Sequence, residues 1–322
     1  MNKHFIREIE IKNFKCFEDF KAEGFGRVNL IGGKNNVGKT AFMEACSINV
    51  YSEDIESMTM ALRNPRYRRE KINLIKEPYK SEKTQEFIEM VDKYHSKSNI
   101  REVEFEIIND DGVKKYKFYI DKEYKRNIKD FLYDMRHINN IIFIDNYGFR
   151  DKDLKEAYIS LQRQDKEDIL NKYINDFDNT IEKFKIFDDS PECKLKDREQ
   201  YRKINEFGDG LKHYVSIICS LYACKNGYLF IDEIDNGIHY TNLDKLWKII
   251  LTISKEQNVQ VFATTHSKEC IASYARVAKK LEDEEIGFIE LGRNKKNELD
   301  SIVMNSEMFQ RFIRLDNEVR GW

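Results

Sequence analysis

The 322-residue sequence predicts an α/β protein with a mixed central sheet, an N-terminal antiparallel β subdomain and a helical insertion or arm. Three observations carry that prediction. A short apolar strand, Val28-Asn29-Leu30-Ile31, runs into Gly32-Gly33-Lys34-Asn35-Asn36-Val37-Gly38-Lys39-Thr40 and then into helix-forming Ala41-Phe42-Met43-Glu44-Ala45-Cys46. A second, Tyr228-Leu229-Phe230-Ile231, ends in Asp232-Glu233. A third, Val259-Gln260-Val261-Phe262-Ala263, ends in Thr264-Thr265-His266-Ser267. Apolar strands that alternate with helices form parallel sheets, and such sheets bind ligands beyond the carboxyl ends of their strands.

The first of these stretches is a phosphate cradle. Gly33, Gly38, Lys39 and Thr40 fit G-x-x-x-x-G-K-[ST], the P-loop, in the strand–loop–helix setting that the motif requires. Its glycines let the backbone turn tightly around Asn35 and Asn36, so that amides and the helix N-terminus meet phosphate oxygens. Lys39 is expected to reach the β- and γ-phosphates and Thr40 to ligate Mg²⁺.

Composition narrows the class. With 41% hydrophobic residues the chain buries a core as one large domain or two modest ones. The 55 basic and 57 acidic residues nearly cancel, so no overall field favours or excludes nucleic acid. The N-terminus carries charges where a signal peptide is apolar, and no apolar run reaches the ~18 residues of a membrane span. The cysteines Cys16, Cys46, Cys193, Cys219, Cys224 and Cys270 form no C-x-x-C pair and read as reduced residues, mostly in the core. The expectation is a cytoplasmic protein without a membrane partner.

Taken in order, residues 5–31 hold strands over Phe5 to Ile11, Phe14 to Phe20 and Val28 to Ile31, the first alternating apolar and polar. Helical stretches follow within an insertion. Val103 to Ile107 and Tyr116 to Ile120 alternate with period two around Asp111-Gly112, which predicts a hairpin. Two basic stretches lie here. One includes Arg63, Arg66, Arg68, Arg69, Lys71 and Lys83, the other Lys114, Lys115, Lys117, Lys125 and Lys129, both interleaved with aromatics. They are a solvated face or a surface for nucleic acid or an acidic partner. Ile141-Ile142-Phe143-Ile144 suits a strand buried on both faces. Leu170, Tyr173, Ile174, Phe177, Ile181 and Phe184 recur at helical spacing, predicting a helical region over 152–186 that Ser190-Pro191 closes. Gly208-Asp209-Gly210 then opens a helix with Leu211, Tyr214, Val215, Ile218, Leu221 and Tyr222 on one face, either a second phosphate site or a turn with an N-cap.

The pair Asp232-Glu233 fits a Walker B strand, in which one acid organises the Mg²⁺ shell and the next orients or deprotonates water. Asp235-Asn236-Gly237 is a turn, and 241–256 a helix. His266 lies at a strand end beside the Walker B strand, where it can contact a γ-phosphate, whereas His4, His95, His137, His213 and His239 have no such setting. Strands near 286–291 and 299–304 and a helix from Glu307 to Val319 complete the chain.

This ordered set resembles the ABC-type ATPases of the RecF/SMC/OLD-like group, often described as AAA family ATP-binding proteins. Asn13-Phe14-Lys15-Cys16-Phe17 looks like the group's N-terminal element, Ile231 to Gly237 like its Walker B and D-loop, and Ala263 to Ser267 like its switch-histidine loop. The resemblance implies a P-loop NTPase fold of the ABC type and a head-to-tail homodimer, or higher assembly, that sandwiches ATP and Mg²⁺. It assigns Glu233 as general base, His266 as γ-phosphate sensor, and Thr40 and Asp232 to Mg²⁺. Asp235 falls at the dimer seam, Gly208, Asp209 and Gly210 over the partner's nucleotide, and Lys15 near the nucleoside. Asn205, Glu206 and Phe207 stand where the group usually carries a serine, so nucleotide binding should survive better than turnover. Gln162 and Gln164 are the candidates for the Q-loop. Residues 1–50, 100–150 and 226–322 would form the ATPase core, 51–99 a helical insertion with the basic patch, and 151–225 a helical subdomain ending in the signature-like loop. About 56 residues follow His266, too few for the Toprim nuclease domain of OLD proteins, and no heptad run supports SMC arms. The expected role is a molecular switch controlling a separate effector such as a nuclease, as in bacterial anti-phage systems. The alternatives are a DNA-binding repair-type ATPase and a non-hydrolysing scaffold.

Overall fold

The computed structural model describes residues 5–50, 102–109, 112–119, 140–146 and 148–315. The helices expected within 51–99 and the basic stretch from Arg63 to Lys83 lie outside those residues, as does the tail beyond 315.

Four layers stack on one another. The outermost is an antiparallel sheet of order β2-β1-β4-β5, formed by β1 (Glu8–Phe14), β2 (Phe17–Glu23), β4 (Glu102–Asn109) and β5 (Gly112–Tyr119). The first two strands start and end about three residues later than expected. Phe14 pairs with Phe17, so the chain reverses at Lys15-Cys16, with Lys15 in the left-handed region at φ 50°. The expected hairpin is present, with Asn109 paired to Gly112.

Next comes α1 (Lys39–Val50), whose residues from Ala41 to Val50 are all buried. A helix buried all round belongs between two layers. Phe42 meets Phe17, Phe20 and Phe25 on the sheet side, and Phe25 in turn meets Phe262 of the central sheet with ring centroids 5.6 Å apart.

The central sheet has the order β13-β12-β3-β11-β10-β6. Its strands are β3 (Val28–Gly33), β6 (Ile141–Ile144), β10 (Tyr228–Ile231), β11 (Gln260–Thr264), β12 (Ile286–Arg293) and β13 (Leu299–Asn305). All run parallel except β13, which is antiparallel to β12. Alternate residues of β10 and β11 feed two cores: Phe230 and Phe262 pack towards α1, Leu229, Ile231, Val261 and Ala263 towards the far side. Such strands, covered on both faces, read as unbroken apolar runs. Contrary to expectation, β6 is buried at Ile144 alone, because it is the last strand of the sheet among the described residues.

The fourth layer holds α2 (Asp151–Gln162), α3 (Glu167–Phe177), α4 (Asp209–Ala223), α5 (Leu243–Gln257), α6 (Lys268–Lys280) and α7 (Ser306–Arg314). The helical region expected over 152–186 is instead two helices and a strand. Asp178-Asn179 turns the chain into β7 (Ile181–Phe187), which pairs with β8 (Ser190–Leu195) and then β9 (Tyr201–Lys203) in a small antiparallel sheet. A register irregularity between Ile181 and Lys183 keeps Ile181 and Phe184 both buried despite their three-residue spacing, which imitates a helical stripe. The edge of β7 is covered: the Phe184 amide donates to Asn171 Oδ1 at 2.8 Å, and Asn175 Nδ2 donates to the Ile181 carbonyl at 2.8 Å. Gln164 donates to the Ser160 and Tyr222 carbonyls, so its amide is committed to packing of this layer. No helix among the described residues is long and apolar enough to cross a membrane.

Candidate functional site

Parallel order brings three chemical loops to one edge. The P-loop follows β3, the acid pair follows β10, and the histidine loop follows β11, which lies between the other two strands. Ile31 pairs with Thr264, and Ile231 with Ala263, so the three strands end nearly level.

Gly33 ends β3 at φ 141°, and a Cβ there would lie 2.5 Å from the Leu291 carbonyl oxygen. Neither fact tolerates another side chain. Lys34, Asn35 and Asn36 are exposed at the crest of the loop. Lys39 Nζ folds back to donate to the Gly33 and Lys34 carbonyls at 2.9 and 3.0 Å. Burial pulls its pKa below the usual lysine value, opposed by the charges of Asp232 and Glu233. Lys15, at the β1–β2 turn, is ion-paired with the buried Glu44 of α1, directly behind the P-loop.

Thr40 Oγ1 lies 3.1 Å from both carboxylate oxygens of the buried Asp232. These two residues are 192 positions apart in sequence. Asp232 Oδ1 also accepts from the Thr264 hydroxyl at 2.6 Å, and its amide donates to the Ile144 carbonyl. The next residue, Glu233, stands in the left-handed region at φ 51°, a costly conformation for a glutamate. Its amide donates to Thr264 Oγ1 at 2.9 Å, and its carbonyl accepts from Asn236 at 2.8 Å. Thr264 carried no signal in the sequence beyond its place at the start of the histidine loop.

The turn after Glu233 joins two further motifs. Asp235 Oδ1 accepts from the Thr265 hydroxyl at 2.7 Å, tying the turn to the loop that presents His266. His266 is exposed, and Ser267 caps α6 by accepting from the Cys270 amide. Gly208 and Asp209 are exposed at the start of α4, while Gly210 is buried against Gly237. Among the described residues, no hydrogen bond or ion pair joins Gly208, Asp209 or Gly210 to the P-loop of the same chain. One turn along α4, the buried His213 donates from Nε2 to the Ile234 carbonyl at 3.2 Å. Burial drives its pKa down to about 4, against the opposing effects of that hydrogen bond and of Asp235. Five of the six cysteines are buried, whereas Cys16 is exposed beside Gly38.

Comparison with known proteins agrees with this geometry. A family model described as "AAA domain, putative AbiEii toxin, Type IV TA system" matches residues 96–272, more than half of the chain. The chain belongs to this AAA domain family. It is an AAA-family ATPase, and its P-loop lies upstream of the matched segment. A protein of Helicobacter pylori named ATP/GTP phosphatase is 27% identical over 329 aligned positions, covering 83% of this ATPase and 86% of the relative. An uncharacterized protein of Methanocaldococcus jannaschii is 35% identical over 114 positions, 35% of this chain and 99% of its own. Among solved structures, an SMC head bound to the C-winged helix domain of ScpA superposes with a TM-score of 0.53 at 14% identity, over 94% of this chain and 99% of that one. That likeness establishes the shared fold, a P-loop ATPase fold with a largely parallel central sheet.

Proposed function

We propose that this ATPase is a nucleotide-driven molecular switch that hydrolyses ATP at a site completed by a second copy of the chain. The observation that carries the reading is the Thr40–Asp232 pair, 3.1 Å apart where the P-loop enters α1 and β10 ends, with Glu233 next in sequence. The pair offers only hard oxygen donors, which fits Mg²⁺, an ion that keeps waters and substrate phosphates in its shell. When bound there, Mg²⁺ would neutralise charge on the β- and γ-phosphates.

The protein's own residues account for the rest. Lys39 exchanges the Gly33 and Lys34 carbonyls for β- and γ-phosphate oxygens. Asn35, Asn36 and Gly38 offer loop amides to the phosphate chain. Glu233 takes a proton from a water that attacks the γ-phosphorus as the bond to the bridging oxygen breaks, releasing ADP and phosphate. His266, exposed on the loop that follows β11, donates to the γ-phosphate. Gly208, Asp209 and Gly210 cover the nucleotide of the partner copy, and Asp235 lies at the seam. The exposure of the α4 start, with no hydrogen bond or ion pair to its own P-loop among the described residues, favours this trans arrangement. Lys15, from the β1–β2 turn, is the side chain we assign to the nucleoside end of the bound ATP.

ATP favours the engaged dimer in this reading, and hydrolysis releases it, which requires unequal affinity in the two states. The switch acts on a separate effector protein, and the defence systems in which such ATPases serve supply the biological setting we favour. Lys39→Ala should abolish ATP binding. Glu233→Gln should bind ATP, stop turnover and accumulate the dimer by light scattering. A Glu233→Gln protein that hydrolyses ATP at the wild-type rate would exclude Glu233 as the base, and one that stays monomeric in ATP would exclude the engaged state.

A further inference from the structure

One buried hydroxyl touches the carboxylate of Asp232 and the backbone amide of Glu233, and neither the motifs nor the relatives assign it a role. From the geometry we infer that Thr264 is a positioning residue for ATP hydrolysis, setting the orientation of the metal-site carboxylate and of the general base together. This rests on the assignments proposed above for Asp232 and Glu233.

The hydroxyl has one proton, and its direction is fixed. The Glu233 amide can only donate, so the 2.9 Å contact uses an oxygen lone pair of Thr264. The proton therefore goes to Asp232 Oδ1, at 2.6 Å, a length typical of a hydroxyl donating to an ionised carboxylate. Oδ1 is thus held by Thr264 at 2.6 Å, while Thr40 Oγ1 lies 3.1 Å from Oδ1 and from Oδ2 alike, so the hydroxyl of Thr264 sets how the carboxylate meets Thr40. The carbonyl of the same residue accepts from the Ile234 amide at 3.0 Å, so Thr264 brackets Glu233 from both sides. That bracket accounts for how a glutamate is held at φ 51°. Backbone outliers of this kind persist where the surroundings over-determine them. Thr264 is itself immobile: it is fully buried, ends β11 and pairs with Ile31 at the root of the P-loop. Its χ1 is stiff because it is β-branched, so the hydroxyl has little freedom to leave either partner.

The test compares Thr264→Val, which keeps the shape and removes the hydroxyl, with Thr264→Ser, which keeps the hydroxyl. Turnover is read as kcat and KM, and nucleotide affinity by fluorescence of a labelled ATP analogue, once in excess Mg²⁺ and once in EDTA. Groups that orient metal ligands typically contribute about 10–100-fold, so Thr264→Val should lower kcat by that factor with little change in KM. It should also lose most of the affinity gained on adding Mg²⁺ while keeping its affinity in EDTA, and Thr264→Ser should recover both. Equal behaviour of the two variants, or a Thr264→Val protein with wild-type kcat and wild-type Mg²⁺ gain, would overturn the inference. Should Thr264→Val fail to fold, Thr264→Ala against Thr264→Ser gives the same comparison. Failure of the underlying site shows differently: wild type would then bind no nucleotide, or Glu233→Gln would turn over normally.

Discussion

The contact between Gly210 and Gly237 makes a prediction that depends on packing alone. A Cβ on Gly210 would lie 1.9 Å from the Gly237 carbonyl oxygen and 2.7 Å from its carbon. Both are backbone atoms, so no side chain can swing aside. Either the start of α4 or the Asp235–Gly237 turn must retreat by roughly an ångström, and overpacking of this kind costs about 1–3 kcal/mol. For a chain of this size, about 2 °C of Tm is lost per kcal/mol, so Gly210→Ala should melt about 2–6 °C early. Gly208→Ala is the matched control. Its Cβ would meet nothing within 4 Å, and the penalty comes from a φ of 89°. At ψ 158° this is a region that almost only glycine adopts, and forcing another residue into it costs about 1–3 kcal/mol. Differential scanning fluorimetry reads stability, and phosphate release reads turnover. Because displacement of the turn also moves Asp235 and the backbone leading from Glu233, Gly210→Ala should lose more activity than its melting shift explains. If Gly210→Ala melts with the wild type, or loses no more activity than its melting shift explains, the close approach has no structural consequence and the coupling argument fails.

Two further outcomes follow from the described contacts. His213 is held neutral, with its pKa moved from 6.5 to about 4. The unfolded chain takes up a proton below pH 6.5 that the folded chain refuses, so stability is complete above 6.5 and falls as pH drops towards 4. At 1.36 kcal/mol per pH unit the loss approaches about 3 kcal/mol, and it should shrink in His213→Gln, as measured by urea unfolding at pH 7, 5.5 and 4.5. Asn171→Ala removes the acceptor for the Phe184 amide on the edge of β7. It should cost about 1 kcal/mol and speed hydrogen exchange at that amide, and unchanged exchange would show that the edge is protected by other means.

Much of the site could be read from the chain because its chemistry is local. The P-loop and the acid pair each occupy a few consecutive residues after an apolar strand, and β10 and β11, covered on both faces, announce themselves as unbroken apolar runs. The hairpin of β4 and β5 follows from period two. What was not legible depends on juxtaposition across the chain. The stripe through Leu170, Ile174, Ile181 and Phe184 keeps helical spacing across the Asp178-Asn179 turn, and the irregularity after Ile181 lets a strand imitate it. Ile141-Ile142-Phe143-Ile144 reads as interior, yet its place at the end of the sheet order leaves three of the four partly open. Thr264 gains its significance from Asp232, 32 residues away, and a threonine in a strand gives no sign of that.

The strand order has a mechanical corollary. The strand bearing Thr264 is wedged between the one that feeds the phosphate loop and the one that feeds the acids, and all three are hydrogen-bonded along their length. Sliding any one of them would break a ladder and disturb two cores, so these parts travel as a single plate. In the switch proposed above, the expected movement is a swing of whole plates against each other, with the edges at Gly208 and Asp235 as the surfaces that part and meet.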